Sequence, residues 1–511
     1  MADKILIADF GSQYTQLIAR KIRELKVYSE IIPYNKLNLK YVASENPRGI
    51  ILSGGPDSVN NENSPEIDAS IFKKESRKGI PMLGVCYGMQ LMNKLCGGSV
   101  DSAKKREYGH KRIILERESR LFSGLEKKLD VWMSHGDVLG QVAEGFDVVA
   151  MTDRHIAAFE NPASLLYGVQ FHPEVHHTKN GKKIIDNFLE ICGCSRNWTM
   201  ASYLQESLSK LKGEIGDKKV IGAVSGGVDS SVAASLVSRA IGDNLYCIFV
   251  NNGLLRKNEN GEVMRNLSHL PNLSYADASH KFLSKLKGVK DPEKKRKIIG
   301  RAFIEVFEKE AKKIGADFLL QGTLYPDVIE SVSAFGPSAK IKSHHNVGGL
   351  PERLNVKLIE PLRYLFKDEV RGLGRELGIS EELLNRHPFP GPGLAIRCPG
   401  CITKEKLSIL READAVYIRE LRKSGLYGKI WQAYAAILPV KTVGVMGDER
   451  TYDHIISLRA VNSVDGMTAS PFEFPRGFLP RVSSKIINEV KGVNRVMYDC
   501  SSKPPATIEL E

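Results

Sequence analysis

The chain has 511 residues, more than one hydrophobic core normally supports, so several domains are expected. Hydrophobic residues make up 42% and charged residues 26%, the proportions of a soluble globular protein. The formal charge is +13, and the longest apolar runs, such as LYCIFV at 245–250, fall far short of the roughly 18 residues that span a bilayer.

The opening MADKILIADF has no secretory n-region, h-region or cleavage site. The eight cysteines lie singly or in two close pairs, with no regular framework. Both features point to a cytoplasmic chain with reduced thiols. No RNA-binding motif or basic–aromatic stripe accompanies the positive charge. The charge is therefore read as pockets for small anions, with neither nucleic acid nor membrane as partner.

KILIAD (4–9) reads as a buried strand and YTQLIARKIREL (14–25) as a helix. GIILSGGP (49–56) and PMLGVC (81–86) repeat an apolar run followed by a turn. Alternating strands and helices imply an open, mostly parallel sheet. Short strands are expected near 112–115, 130–133, 147–151 and 165–171, and an amphipathic helix over 182–192. These fill a first domain, 1–195. CGCSRNWT (192–199) reads as a linker.

A second strand–loop–helix cycle follows: KKVIGAV (218–224), SGGVDSS (225–231), VAASLVSRAIG (232–242) and LYCIFV. RHPFPGPGLAIR (386–397) breaks both periodicities and marks another boundary. The remainder carries a helix over 405–425, ended by Gly425, and strands near 440–446, 455–460 and 495–499. The expected class is α/β. Two doubly wound, mostly parallel-sheet domains (1–195 and 196–386) precede a smaller α+β domain (387–511).

Gly84-Val85-Cys86-Tyr87-Gly88 fits a nucleophile elbow at a strand-to-helix turn. A cysteine there sits at a helix N-terminus, where the dipole favours thiolate. YGVQFHPEV (167–175) places His172 and Glu174 two apart in an extended segment, hence on one face. An imidazole to take a proton and a carboxylate to orient it are what a thiol nucleophile needs.

DFGSQYTQLIAR, ILSGGP, GVCYGMQLM and GVQFHPEV, in this order, resemble class I glutamine amidotransferases over 1–195. The resemblance implies that Cys86 attacks the glutamine carboxamide, forms a glutamyl thioester and releases ammonia. His172 would be the base and Glu174 its orienting partner. It further implies an oxyanion hole from N–H groups around Gly55 and Tyr87, and a glutamine subsite from Gln90, Ser134, His135 and Gly136.

Ser225, Gly226, Gly227, Val228, Asp229, Ser230 and Ser231 join a strand to a helix. Backbone N–H groups in such a loop suit phosphate, and no Gly-Lys-Ser/Thr of a Walker A loop follows. SGGVDSS resembles the PP-loop of ATP pyrophosphatases, which implies ATP as substrate, pyrophosphate on the loop and Mg²⁺ near Asp229. QGTLYPDVIES (321–331) reads as a strand end with a polar loop. KSHHNVGGLPE (342–352) reads as a basic lid carrying Lys342 and His344, and Lys367 starts a helix over 366–378. These lysines are phosphate candidates.

EKKRKIIG (293–300), HPFPGPGLAIR (387–397), VGVMGD (443–448) and SKPPATIELE (502–511) extend the likeness essentially end to end. Together they resemble the glutamine-hydrolysing GMP synthase family. That resemblance implies xanthosine monophosphate (XMP) as acceptor, held by Arg296, Lys503 and Glu509. Its C2 oxygen would be adenylated and then displaced by ammonia. It also implies a homodimer formed through 387–511. The chain departs from the family at Asn251, where aspartate is usual, at IELE, where a tryptophan is usual, and at CPGC (398–401). CPGC reads as incidental thiols, since no second pair stands at zinc spacing.

A tRNA-thiolating PP-loop enzyme would use the basic charge and CPGC but leaves Cys86, His172 and Glu174 unexplained. An NAD-forming amidotransferase is opposed by KPPATIE. A nucleotide-sensing pseudoenzyme would require damage to Cys86 or the loop, and neither is damaged.

Overall fold

The apolar runs that open the chain are neighbouring strands. β1 (Lys4–Asp9), β2 (Tyr28–Pro33), β3 (Gly49–Leu52), β4 (Met82–Val85) and β9 (Leu166–Val169) lie parallel in the order β2-β1-β3-β4-β9. Successive residues of the inner strands, Ile5, Leu6 and Ile7 on β1 and Ile50, Ile51 and Leu52 on β3, are wholly buried, as in a sheet covered on both faces.

β8 (Ile156–Asn161), β7 (Asp147–Met151), β5 (Val100–Leu115) and β6 (Lys128–Leu139) continue the sheet beyond β9, each antiparallel to its neighbour. The connections at 152–155 and 162–165 are too short for a parallel crossover, so those strands can only turn back on themselves. β5 runs for 16 residues where a short strand near 112–115 was expected.

The computed structural model describes residues 3–332, 356–446, 448–463, 466 and 468–511. Two compact units emerge. One is Met1–Tyr203 with the segment that starts at Tyr325; the other is Leu204–Leu324 with the later chain. The 192–199 stretch, read as a linker, is tied down within the first unit. Ser195 donates to Asp3 through its N–H and hydroxyl, at 2.8 and 2.6 Å, and Trp198 N–H reaches Lys26 O at 2.9 Å. The expected polar loop after position 324 is a helix, Tyr325–Val332.

In the second unit, β10 (Val220–Ala223), β11 (Leu245–Asn251), β12 (Leu273–Asp277), β13 (Phe318–Leu320) and β14 (Lys357–Ile359) form an all-parallel sheet ordered β12-β11-β10-β13-β14. The chain leaves β10 toward both sides, which opens a crevice at that strand's carboxyl end. The helix after it, Val228–Ile241, starts inside the SGGVDSS loop and not at 232.

The last sheet pairs β15 (Gln432–Met446) with β16 (Glu449–Asn462) antiparallel, adds the short β17 (Ser470–Pro471), and sets β18 (Val493–Asp499) parallel to β16. The helices Lys404–Lys423 and Phe478–Glu489 pack on it. The Pro-Gly run near 387 does not divide the core. Leu394 and Ala395, both wholly buried, share one hydrophobic cluster with Ile221 and Ile248 before it and Ile437 and Ile456 after it.

Gly88 packs directly on β3. A Cβ there would lie 2.4 Å from Leu52 O, a backbone atom with little freedom to move. Gly88→Ala is expected to cost the first unit about 1–3 kcal/mol or more. Denaturant unfolding checks this, and a midpoint equal to that of the parent would contradict the close approach.

Candidate active site

β4 ends at Val85 and the next helix begins at Tyr87, so Cys86 alone makes the turn. Its φ of +51° is a conformation that residues with side chains rarely adopt. Two glycines permit it. A Cβ on Gly84 would lie 2.6 Å from Gly88 O, and Gly88 is equally confined by Leu52. Cys86 N–H donates to Val169 O at 2.8 Å, which ties the elbow to β9.

His172 follows β9 by three residues. Its N–H donates to Trp132 O at 3.0 Å, and Thr178 Oγ1 donates to its carbonyl at 2.6 Å. Nδ1 lies 2.8 Å from Glu174 Oε1, and the Cys86 sulfur is close enough to interact electrostatically with the ring. With Nδ1 on the carboxylate, Nε2 is left for the sulfur. All three side chains are buried. Burial opposes an imidazolium, but Glu174 and Cys86 outweigh it and hold His172 well above the ordinary histidine value. The stability from this proton is fully present below the ordinary histidine range and fades as pH climbs to the raised value.

The predicted oxyanion residues meet. A Cβ on Gly55 would lie 3.2 Å from the Tyr87 ring, so the two are in contact. Tyr87 N–H is one of the orphan donors at the helix start. Neither it nor Gly55 N–H has an acceptor among the described residues.

Of the expected glutamine subsite, Ser134 O lies 3.7 Å from Cys86 Sγ. Gln90 Nε2 donates to Asp137 O at 2.9 Å and to Gln170 Oε1 at 3.2 Å. His135 Nδ1 also binds Asp137 O, at 2.9 Å, while its Nε2 faces Glu107 Oε2 at 3.4 Å. Burial pushes His135 down to about 4, so the ring is neutral near pH 7. The side of Gly136 faces Arg106, with the nearest atom 3.8 Å from a built Cβ.

The second candidate site lies at the carboxyl end of β10. Gly226 adopts φ +74°, and Ser225 Oγ accepts from Gly227 N–H at 3.3 Å. Ser230 Oγ accepts from Ser225 N–H at 3.2 Å, and Ser231 Oγ donates to Gly227 O at 2.8 Å. Val228, Asp229 and Ser230 thus begin a helix whose first N–H groups point out of the loop. Lys367 Nζ lies 2.5 Å from both carboxylate oxygens of Asp229, so two predicted residues come together. Lys342 and His344 lie outside the described residues. Arg386, inside the Pro-Gly run, donates to Gly226 O at 3.1 Å and was not singled out.

The expected XMP residues each have a partner within the second unit. Arg296 donates to Glu511 O at 2.6 Å, and Lys503 Nζ to Gly466 O at 2.7 Å. Glu509 accepts from Arg397 at 2.9 and 3.1 Å and from Gln432 Nε2 at 2.6 Å. Arg296 and Glu509 are thus anchored by or near the last residues, and no contact joins Lys503 to either among the described residues. Arg397 is wholly buried, and sequence reasoning missed it although it ends the quoted HPFPGPGLAIR.

Comparisons with known proteins agree with the likeness. A family model described as glutamine amidotransferase class-I matches residues 6–192, and one described as GMP synthase C terminal domain matches 419–510. A protein of Carboxydothermus hydrogenoformans named GMP synthase (glutamine-hydrolyzing) is 57% identical over 516 residues, covering 100% of both chains. One of Aquifex aeolicus with the same name is 56% identical, covering 99% of each. The chain belongs to the glutamine-hydrolysing GMP synthase family.

Proposed function

We propose that this enzyme makes GMP by ATP-dependent amination of XMP, with ammonia drawn from glutamine. The observation that carries the thiol half is Cys86 at a strained elbow, in electrostatic contact with His172, whose Nδ1 is held 2.8 Å from Glu174. The sulfur gives its proton to His172 and attacks the carboxamide carbon. The resulting oxyanion is met by Gly55 and Tyr87 N–H groups, fixed before the reaction begins. Collapse breaks the C–N bond, and His172 returns the proton to the leaving ammonia. Water then cleaves the thioester to glutamate. Ser134, Gln90, His135 and Gly136 form the wall on which glutamine rests; Gln90 Oε1 accepts no bond among the described residues and is available to it.

The acceptor half belongs to the 225–231 loop with Lys367, and to Arg296, Lys503 and Glu509. The XMP C2 oxygen attacks the α-phosphorus of ATP, and pyrophosphate leaves onto the loop. Ammonia then attacks C2 and AMP departs. Oxide is a poor leaving group and AMP a good one, which is the chemical reason for adenylation. Mg²⁺ suits this site as an ion carried mainly by nucleotide phosphates. Asp229, with its side chain about one-third exposed at 31%, would hold it, and no group of three ligating side chains lies among the described residues. Such an ion would neutralise charge on the departing pyrophosphate.

Three functional segments, 1–195, 196–386 and 387–511, underlie this division of labour. The third carries the homodimer contact. Val443 and Tyr452 face each other across β15 and β16, and both are exposed, as is Val445 two residues along β15 on the same face. All eight cysteines are free, which fits a cytoplasmic enzyme. No described helix is long and apolar enough to cross a membrane.

Cys86→Ala is expected to abolish glutamine-driven GMP formation and to retain formation from added ammonia. Equal loss of both would refute separate sites for the two half-reactions. AMP and pyrophosphate are the expected nucleotide products; ADP would refute adenylation. Glu174→Gln removes the charge that holds the His172 proton. The ring should then titrate at lower pH, seen by NMR, and glutamine hydrolysis should fall about 10²-fold or more. An unmoved titration would show that Glu174 does not set it.

A further inference from the structure

The Gln170 amide takes no part in the triad, yet its Nε2 lies 3.7 Å from Cys86 Sγ. The side chain is wholly enclosed, so no water competes for that contact. Its orientation follows from an atom that cannot be turned around. Asp137 O is a backbone carbonyl and can only accept. Gln90 places Nε2 2.9 Å from it, which fixes Gln90 with its NH₂ group on this side. The same NH₂ meets Gln170 at 3.2 Å, and a donor must meet an acceptor, so Gln170 presents Oε1 there. Its own NH₂ therefore points at the sulfur. The Asp137 carbonyl is itself held by His135 Nδ1.

We propose that Gln170 is a catalytic residue of the thiol half-reaction: its amide N–H donates to Cys86 Sγ and stabilises the thiolate. Gln90 is the positioning residue that turns the amide that way. A neutral thiol can donate to Ser134 O, 3.7 Å away, but once its proton has moved to His172 that carbonyl repels the sulfur. The Gln170 N–H then attracts it. The contact thus favours the charged form and is strongest when the nucleophile is bare. No bond to Gln170 forms or breaks. The assignment rests on Cys86 being the nucleophile proposed above.

The test uses the full chain without glutamine, with iodoacetamide as probe and mass spectrometry of the Cys86 peptide as readout. Gln170→Met keeps the length and removes the donor; Gln170→Glu keeps the shape and sets an acceptor against the sulfur. Near neutral pH, trapping of Cys86 should slow about tenfold in Gln170→Met, more in Gln170→Glu, and several-fold in Gln90→Met. In strongly alkaline solution all rates should converge on the parent's, because every thiol is then ionised. Unchanged trapping near neutrality would overturn the proposal, and so would equal slowing at both pH values, the mark of a merely displaced thiol. If the Gln170 variants do not fold, Gln90→Met decides by the same two outcomes. Glutamine hydrolysis by the parent is measured separately. Its absence beside the expected trapping pattern would refute the substrate and leave the thiolate contact standing.

Discussion

The glutamine half of the enzyme depends on how closely three pieces of backbone approach at one turn. A non-glycine residue at a φ of +51° costs about 1–3 kcal/mol and persists only where its surroundings over-determine it. Here they do. Gly84 sits against the Gly88 carbonyl, Gly88 sits against Leu52, and Gly88 N–H bonds Ser53 O at 3.0 Å. The bond from Cys86 N–H to Val169 O joins the elbow to the strand that leads to His172. The packing that strains Cys86 also holds the strand from which His172 follows.

The two candidate sites solve opposite problems. Around Cys86 the side chains of Gln90, His135, Gln170, His172 and Glu174 are buried, and few, fixed partners serve each group: Glu174 for the imidazole, the Gln170 amide for the sulfur. Low local dielectric makes such contacts strong and makes any unpaired group costly. The 225–231 loop is more open, and its serine hydroxyls bind one another and the backbone, which leaves helix-start N–H groups for a highly charged ligand. The first site is enclosed, whereas the second is open to solvent.

Local features were legible in the sequence. The elbow, the His172–Glu174 spacing and the phosphate loop are short patterns whose geometry follows from a turn or from the two-residue repeat of extended chain. What joins them is not local. Gln170 lay inside the quoted YGVQFHPEV, but its meaning comes from Gln90, 80 residues away, and amides leave no periodic signal. The helix Tyr325–Val332 was read as a loop because its proline and aspartate mimic turn chemistry, though proline fits a helix's first turn. The run at 386–397 was read as a boundary because Pro and Gly punctuate local structure. Burial decides compact units, and Leu394 carries the core straight through. Arg397 passed unnoticed because a wholly buried arginine makes sense only once Glu509, 112 residues on, is found beside it.

The pair formed by Asp229 and Lys367 has a consequence for nucleotide capture. Before any ligand arrives, their opposite charges neutralise each other, so neither stands alone at the mouth of the loop. Capture is then an exchange of partners and not a simple attraction. Lys367 must give up a carboxylate to take a phosphate, and the abandoned carboxylate is left facing an anion. A bare triphosphate gains little from such a trade, because one favourable pair replaces another and a repulsion is added. A triphosphate that brings its own counter-ion gains twice. On the proposed reading of this loop as the ATP site, the pair favours the metal-complexed nucleotide before any shape is read.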